Sequence, residues 1–398
     1  MSDVVILDAT RTPIGKYGGS LKNIPAVDLG AHCIKTLVER NQIPVDKIDN
    51  VLMGMVVQAG AGQIPSRQCA IKAGLPVEVP SMTINKVCAS GMRAATLAAT
   101  MIRCGEAGLI VAGGIESMSQ VPYASRNTRW GMKMGDDKLV DLMVADGLWC
   151  AFDNVHMAIH GNTIAAKYNL SREQQDEYAC RSQNLAEAAI TEGRTAEEIT
   201  PFPIPQRKGD PVMFAQDEFP RFGTTVESLA KLRPVFAKDG TITAGNAPGV
   251  NDGGGAMIVC TREWADQLGV KPLATIVDYA YAALKPSEFP IAPAASTRKL
   301  LNKLGMTLDQ IDLLEFNEAF AAVALACGAE LNWDLNKVNV NGGAIAYGHP
   351  IGMSGARVTM TLAYELRRRG GGYGIAAICS GSFLPIHSCI ARWLSQAH

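Results

Sequence analysis

Four residues of this chain are of types that carry covalent or proton-transfer chemistry and stand where apolar runs give way to turns: Cys88, Asn317, His349 and Cys379. Cys88 lies in Asn85-Lys-Val-Cys-Ala-Ser-Gly-Met-Arg93. It sits between a run with strand character, 79–84, and a small-residue segment, 94–101, of helix-forming composition. A helix N-terminus carries unpaired N–H groups and favours negative charge, so this turn is expected to lower the thiol's pKa and populate the thiolate. Ala89, Ser90 and Gly91 are small enough to leave room for a ligand. Asn317-Glu-Ala-Phe320 follows the apolar run 311–316. His349 ends a glycine-rich loop within Asn341-Gly-Gly-Ala-Ile-Ala-Tyr-Gly-His-Pro-Ile-Gly352, and Cys379 follows the last buried run. Singly, each has a structural account: core thiol, helix cap, satisfied histidine. As a set at strand ends they fit one task. A thiolate accepts an acyl group, a second thiol moves a proton, and imidazole with backbone N–H groups stabilises oxyanions. A protease or amidotransferase needs one such cysteine, whereas carbon–carbon bond formation α to a thioester can use both.

The elements that must position these residues alternate. Short strands are expected at 4–7 (ending in a turn over 8–13), within 46–56, at 79–84 and at 109–114. Helices are expected at 26–40, 65–73 and from the Cys88 turn to about Cys104. Strands alternating with helices are the signature of a mostly parallel α/β sheet. Between about Ser117 and Gly249 the pattern changes to polar loops and helices, including 157–168 and 172–192, the second opened by a Ser171-x-x-Gln174 capping box. Alternation resumes at 256–260. The division expected is an N-terminal half, 1–118, completed by 250–271; an inserted loop domain, 119–249; and a C-terminal half, 272–398. An internal repeat supports it. Asp46-Lys-Ile-Asp parallels Asp309-Gln-Ile-Asp, and Ser90-Gly-Met-Arg93 parallels Ser354-Gly-Ala-Arg357; Asp49 to Ser90 spans 41 residues and Asp312 to Ser354 spans 42. Two similar halves side by side would bring their strand-end loops to one crevice.

Composition narrows the function classes. At 398 residues the chain is too long for one small core, so two or three domains are expected. A net charge of −1 argues against nucleic acid or an anionic membrane as partner, and low charge with 39 glycines suits α/β folding and an extensive subunit interface. The ten cysteines form no C-x-x-C pair and no cluster with histidine at zinc-ligand spacing, so neither structural disulfides nor a metal site is expected. Residues 1–7 carry no signal pattern, 395–398 make no peroxisomal address, and no apolar run reaches membrane length; the expected location is cytoplasmic.

With these residues in place the chain resembles the thiolase family, the acetyl-CoA acetyltransferases in particular, essentially from end to end. The motifs are the Cys88 stretch, Ala112-Gly-Gly-Ile-Glu-Ser-Met-Ser119, Asn246-Ala-Pro-Gly-Val-Asn-Asp-Gly253, Asn317-Glu-Ala-Phe-Ala321 and Gly342-Gly-Ala-Ile-Ala-Tyr-Gly-His-Pro-Ile-Gly352. The resemblance implies a five-layered αβαβα sandwich of two similar halves with an inserted loop domain. It implies coenzyme A and acyl-CoA as substrates without a permanently bound cofactor, a place in fatty acid metabolism, and a homo-oligomer, dimer or tetramer. By resemblance Cys88 is the acylated nucleophile and His349 activates it. Asn317 holds a water of one oxyanion hole, Cys379 is the acid/base, and the N–H groups of Cys88 and Gly381 form the second hole. For coenzyme A, Arg221 would lie by the adenine, Ser228 near the nucleotide or pantetheine, and His156 and Leu148 along the pantetheine. Phe236, Ala244, Ala319 and Phe320 would line the same tunnel.

The chain also departs from the family pattern. Cys379-Ser-Gly-Ser-Phe383 replaces the usual C-x-G-G-G, Pro248 stands where many relatives carry a coenzyme-binding serine, and Ala158 and His160 stand where glycine and a small polar residue are common. Phe289-Pro-Ile-Ala-Pro293 resembles mitochondrial acetoacetyl-CoA thiolases, some of which accept a 2-methyl branch. The expected activity is acyl-CoA plus acetyl-CoA to 3-oxoacyl-CoA plus CoA, with acetoacetyl-CoA favoured. A longer-chain or specialised 3-ketoacyl-CoA thiolase is the near alternative, and a non-catalytic acyl-CoA-binding protein the alternative of a different class. Decarboxylating ketoacyl synthases share the two-half plan but lack a second catalytic cysteine.

Overall fold

The computed structural model describes residues 3–381 and the backbone of the strand Ile386–Trp393. Ser382, Phe383 and Pro385 lie outside the described residues. One large mixed sheet runs through the molecule. Its long strands are β1 (Val4–Arg11), β2 (Asn50–Gly54), β3 (Ser81–Ile84), β4 (Leu109–Ser117), β5 (Asn251–Thr261), β6 (Ala274–Ala282), β7 (Leu313–Phe316), β8 (Gly372–Ile378) and β9 (Ile386–Trp393), in the order β7-β8-β9-β6-β1-β5-β4-β2-β3. That order is symmetric about the β1·β6 pair: on one side follow β5, β4 and β2, on the other β9, β8 and β7. The repeated aspartates do the same work in each half. Asp49 accepts the N–H groups of Gly108 and Leu109 at the start of β4, and Asp312 that of Tyr373 in β8.

Two sequence expectations are corrected. The sheet is not mostly parallel: β2 is parallel to β3 and β4, and β7 to β8, while the five pairings through the middle are antiparallel. The antiparallel strands β1 and β5 are buried over nearly their whole length, and such buried runs do not reveal direction. The turn expected over 8–13 is strand as far as Arg11, bent by a register shift between Ile6 and Asp8.

Helices form three further layers. On one outer face lie α1 (Ala26–Arg40), α2 (Pro65–Lys72) and, against the β1 and β5 ends, α6 (Arg262–Leu268), after α3 (Ser90–Arg103), α4 (Met157–Lys167) and α5 (Arg172–Thr191) in chain order. On the other outer face lies α7 (Ala292–Leu304), with α8 (Ala321–Leu331) against it. Between the half-sheets run α3 and α9 (Ile351–Arg368). Helix α1 shows why these residues choose helix: Leu29, Cys33, Ile34 and Leu37 recur on one buried face, with Asp28 in the first turn and Arg40 in the last, matching the dipole. Helix α9 is instead buried on all sides from Ile351 to Leu366, as a central layer requires. Residues 119–249 add no strand to the main sheet and form short hairpins with α4 and α5. The capping box at Ser171 and Gln174 is present.

Candidate active site

The two central helices meet at their N-termini, backbone against backbone. A Cβ on Gly91 would come within 2.8 Å of the Ala356 nitrogen, and one on Gly355 within 2.5 Å of the Met92 nitrogen. Only glycine permits this approach. The small residues after Cys88 therefore make room for a helix rather than for a ligand, which corrects the sequence reading. The repeated serines flank the contact. Ser90 Oγ accepts the Lys86 N–H and donates to the Val87 carbonyl, at 2.8 and 2.6 Å. Ser354 Oγ donates to the Pro350 carbonyl at 2.9 Å and lies 2.6 Å from His349 Nδ1.

Val87, the residue before Cys88, has φ of 46°, a left-handed conformation that a β-branched side chain rarely adopts. Such strain costs on the order of 1–3 kcal/mol and persists only when the surroundings over-determine it. Here Asn85 Oδ1 accepts the Val87 N–H, Asn85 Nδ2 donates to the Val56 carbonyl, and Ser380 Oγ donates to the Lys86 carbonyl. Gly381, itself at φ of 42°, lies against the Val87 methyl groups. The turn that presents Cys88 is thus held from both halves of the chain.

His349 is fixed as firmly. Its N–H donates to Asn251 Oδ1 at 2.9 Å, and Asn251 Nδ2 donates to the Gly15 carbonyl. The Ser354 hydroxyl hydrogen is used on Pro350, so its oxygen accepts from Nδ1–H and leaves Nε2 with the free lone pair. Asn317 Nδ2 lies 3.5 Å from that Nε2, and Asn317 Oδ1 is buried without a hydrogen-bond partner among the described residues. Asn317 follows β7, its N–H bonded to the Ala377 carbonyl of β8, and Cys379 follows β8.

Electrostatics overturn one expectation. The thiol of Cys88 is pushed well above its ordinary range, first by burial and then by Cys379 and Glu116; burial likewise raises Cys379 to about 12. The residue keeps partial exposure, but its sulfur is enclosed, and desolvation outweighs the helix N-terminus. A neutral imidazole lines the same pocket: burial, with the Arg357 charge, lowers the pKa of His349 to about 3 and keeps the ring unprotonated.

Cys88, His349, Cys379 and Gly381 line one pocket of about 760 Å³, counting its open mouth, together with Leu148, His156, Phe236, Ala319 and Phe320. His156 caps α4, its Nδ1 accepting the Ala158 N–H at 3.1 Å, which leaves Nε2–H as a donor; its ring stacks on Phe236 at 3.9 Å. Asn317 stands behind His349 rather than in the lining. Arg221, Ser228 and Ala244 are exposed and outside it: Arg221 lies over Phe219 and reaches the Ala244 carbonyl, and the Ser228 hydroxyl is engaged in a local cap with Thr225.

Sequence reasoning assigned no role to two carboxylates that shape this site. Glu116 accepts the N–H groups of Val56, Val57 and Gly352, tying the end of β4 to the start of α9. Glu318 accepts from Tyr178, Ser182, Asn339 and the Ile345 N–H, joining α5 to the loop before His349. Both stand inside quoted motifs, and an acid within an apolar run was the available signal. The cysteine spacing also predicted no metal cluster, yet Cys150, Asp153 and His160 come within ligating reach of one another. Two of the three are not cysteines, and one is borne by a helix, so a search for paired cysteines passes over them.

The comparisons with known proteins agree with this geometry. Residues 4–263 match the family model for the thiolase N-terminal domain, and 270–392 that for the C-terminal domain. The chain is 53% identical to an acetyl-CoA acetyltransferase of Pseudomonas aeruginosa over 98% of its length and 100% of the relative's, and 50% identical to one of Cupriavidus necator with the same coverage. The crystal structure of the Bacillus anthracis acetyl-CoA acetyltransferase superposes with a TM-score of 0.96 at 40% identity, covering 99% of both chains.

Proposed function

Because this chain belongs to the thiolase family, we propose that it catalyses the reversible condensation of acyl-CoA with acetyl-CoA to 3-oxoacyl-CoA and CoA, with acetoacetyl-CoA as the main product. The observation that carries the reading is the convergence of Cys88 and Cys379, from opposite halves, on one pocket beside a neutral imidazole. His349 Nε2 takes the Cys88 proton, and the thiolate attacks the thioester carbon. The carbon–sulfur bond of the donor breaks, and CoA leaves with a proton, giving acyl-Cys88. Cys379 then passes its proton to His349 Nε2 and, as thiolate, removes the α-proton of the second acetyl-CoA. The enolate attacks the acyl carbon and expels the Cys88 sulfur, which takes back the proton that His349 Nε2 carried through the condensation. The N–H groups of Cys88 and Gly381 hold one oxyanion. His349 and a water on the otherwise unpaired Asn317 Oδ1 hold the other.

His156, Leu148, Phe236, Ala319 and Phe320 would carry the pantetheine, with Ala244, Ser228 and Arg221 outward toward the nucleotide. Residues 119–249 serve as the coenzyme-binding insert between the halves 1–118 with 250–271 and 272–398. A cytoplasmic homotetramer in fatty acid metabolism completes the reading. Two exposed apolar regions support the assembly: the edge strand β3 with Val77 and Met82, and the 123–139 segment with Tyr123, Trp130, Met134 and Leu139. Incubation with acetyl-CoA should give an acetyl adduct by intact mass that Cys88→Ser abolishes; absence of an adduct on the unaltered protein would leave only a binder. Cys379→Ala should acylate yet fail to condense.

A further inference from the structure

Beside the pocket mouth, the hairpin of Trp149–Cys150 and Val155–His156 leads into α4, and three side chains with no part in the reaction above converge there. The Cys150 sulfur, a carboxylate oxygen of Asp153 and a ring nitrogen of His160 all lie within 4.8 Å of one another. Cys150 and His160 are 0% and 3% exposed, while Asp153 faces solvent. Asp153 Oδ2 is 3.3 Å from His160 Nε2, yet that buried nitrogen has no hydrogen-bond partner among the described residues. The two atoms approach without aiming at each other, as ligands that share a third point do. In a tetrahedral site with metal–ligand bonds of about 2.0–2.1 Å, the nitrogen–oxygen edge is about 3.3–3.4 Å.

We infer that Cys150, Asp153 and His160 form a binding site for one divalent zinc-type ion, with the fourth position open toward solvent on the Asp153 side. A thiolate, an imidazole and a carboxylate make a borderline-soft ligand set that selects Zn²⁺ over Mg²⁺ or Ca²⁺. Charge closes as well: thiolate and carboxylate together cancel the two positive charges, so the half-buried complex is neutral. The Asp153 N–H already donates to the Cys150 sulfur at 3.4 Å, which fixes the sulfur's place in the hairpin turn. Burial lowers the pKa of His160, which keeps its lone pair available. On binding, the sulfur–metal bond forms as the thiol proton leaves to solvent, so affinity rises with pH. The ion would clip the hairpin to the first turns of α4, on either side of His156.

Co²⁺ titrated into the full chain after chelator dialysis tests this without recourse to catalysis. One equivalent should bind with a sulfur-to-cobalt charge-transfer band and tetrahedral d–d absorption, and Zn²⁺ should displace it. Cys150→Ser should lose the charge-transfer band. Asp153→Ala, at an exposed position that does not threaten folding, and His160→Gln should weaken binding by at least about 100-fold, beyond what loss of an outer-shell partner costs. Zn²⁺ should raise the Tm of the unaltered chain and not that of Asp153→Ala. The inference fails if no stoichiometric uptake occurs. It fails equally if the band survives in Cys150→Ser or Asp153→Ala and disappears when Cys88 is alkylated.

Discussion

At the scale of single residues, the site sets a raised thiol against a lowered imidazole, and both shifts come chiefly from burial. The consequence for stability has a definite sign. His349 and His156 fall to about 3 and about 4 from an ordinary 6.5, and His160 and His32 are lowered by burial as well. Between those values and about 6.5 the unfolded chain binds protons that the native chain does not, so stability is complete above about 6.5 and lost as pH falls toward 3. Melting temperature should therefore drop between pH 7 and pH 5, and His349→Asn should flatten that limb. Ser354 acts through His349. Ser354→Ala should lower kcat by about 10-fold or more, within the 10²–10⁴ that general-base catalysis supplies, and leave KM nearly unchanged. A purely structural role for Ser354 would instead show as a lower Tm with normal kcat.

At the scale of elements, the site exists because α3 and α9 cross at two glycines. A side chain at 355 would meet the backbone of α3 at 2.5 Å, and backbone cannot rotate aside as a side chain can. Gly355→Val should cost at least the 1–3 kcal/mol typical of overpacking, about, and separate the Cys88 turn from His349. The readouts are urea unfolding and the rate of acetyl-adduct formation. A variant that unfolds normally and acylates at the usual rate would show that the crossing does not set the site. Much at this scale was legible in the sequence. Ala26–Arg40 and the Ser171 cap follow from local pattern alone. Strand direction was not, because a buried apolar run reads the same in either direction.

At the scale of the whole molecule, buried ion pairs hold the insert to the sheet. Arg11, 0% exposed at the end of β1, forks onto Asp217 at 2.7 and 2.9 Å and reaches Glu198 at 2.8 Å. Arg11→Met should destabilise by about 3–5 kcal/mol in chemical denaturation, since two buried carboxylates lose the guanidinium charge they face and keep only the Ile14 N–H and the Thr361 hydroxyl. Replacing all three by apolar residues should recover much of that loss. The exposed Trp130 and Met134 predict a separate outcome. If the chain is the proposed tetramer, Trp130→Asp with Met134→Asp should reduce it to a dimer in light scattering, without loss of fold. A monodisperse tetramer in that variant would remove the 123–139 segment from the interface.

The sequence by itself determined the two-half plan, through the Asp49/Asp312 and Ser90/Ser354 repeats, and the identity of the sulfur and imidazole groups that meet in the pocket. These follow from residue type and spacing, which survive in one dimension. Only the tertiary structure decided what those groups experience. Whether the Cys88 thiol is lowered by a helix end or raised by enclosure depends on what else surrounds it, and that is brought by Cys379 and Glu116 from distant segments. The strain at Val87 is likewise invisible in sequence, because it is imposed by Asn85, Ser90 and Ser380 acting together. Proximity of groups far apart along the chain sets both solvation and backbone angle, and a linear pattern contains neither.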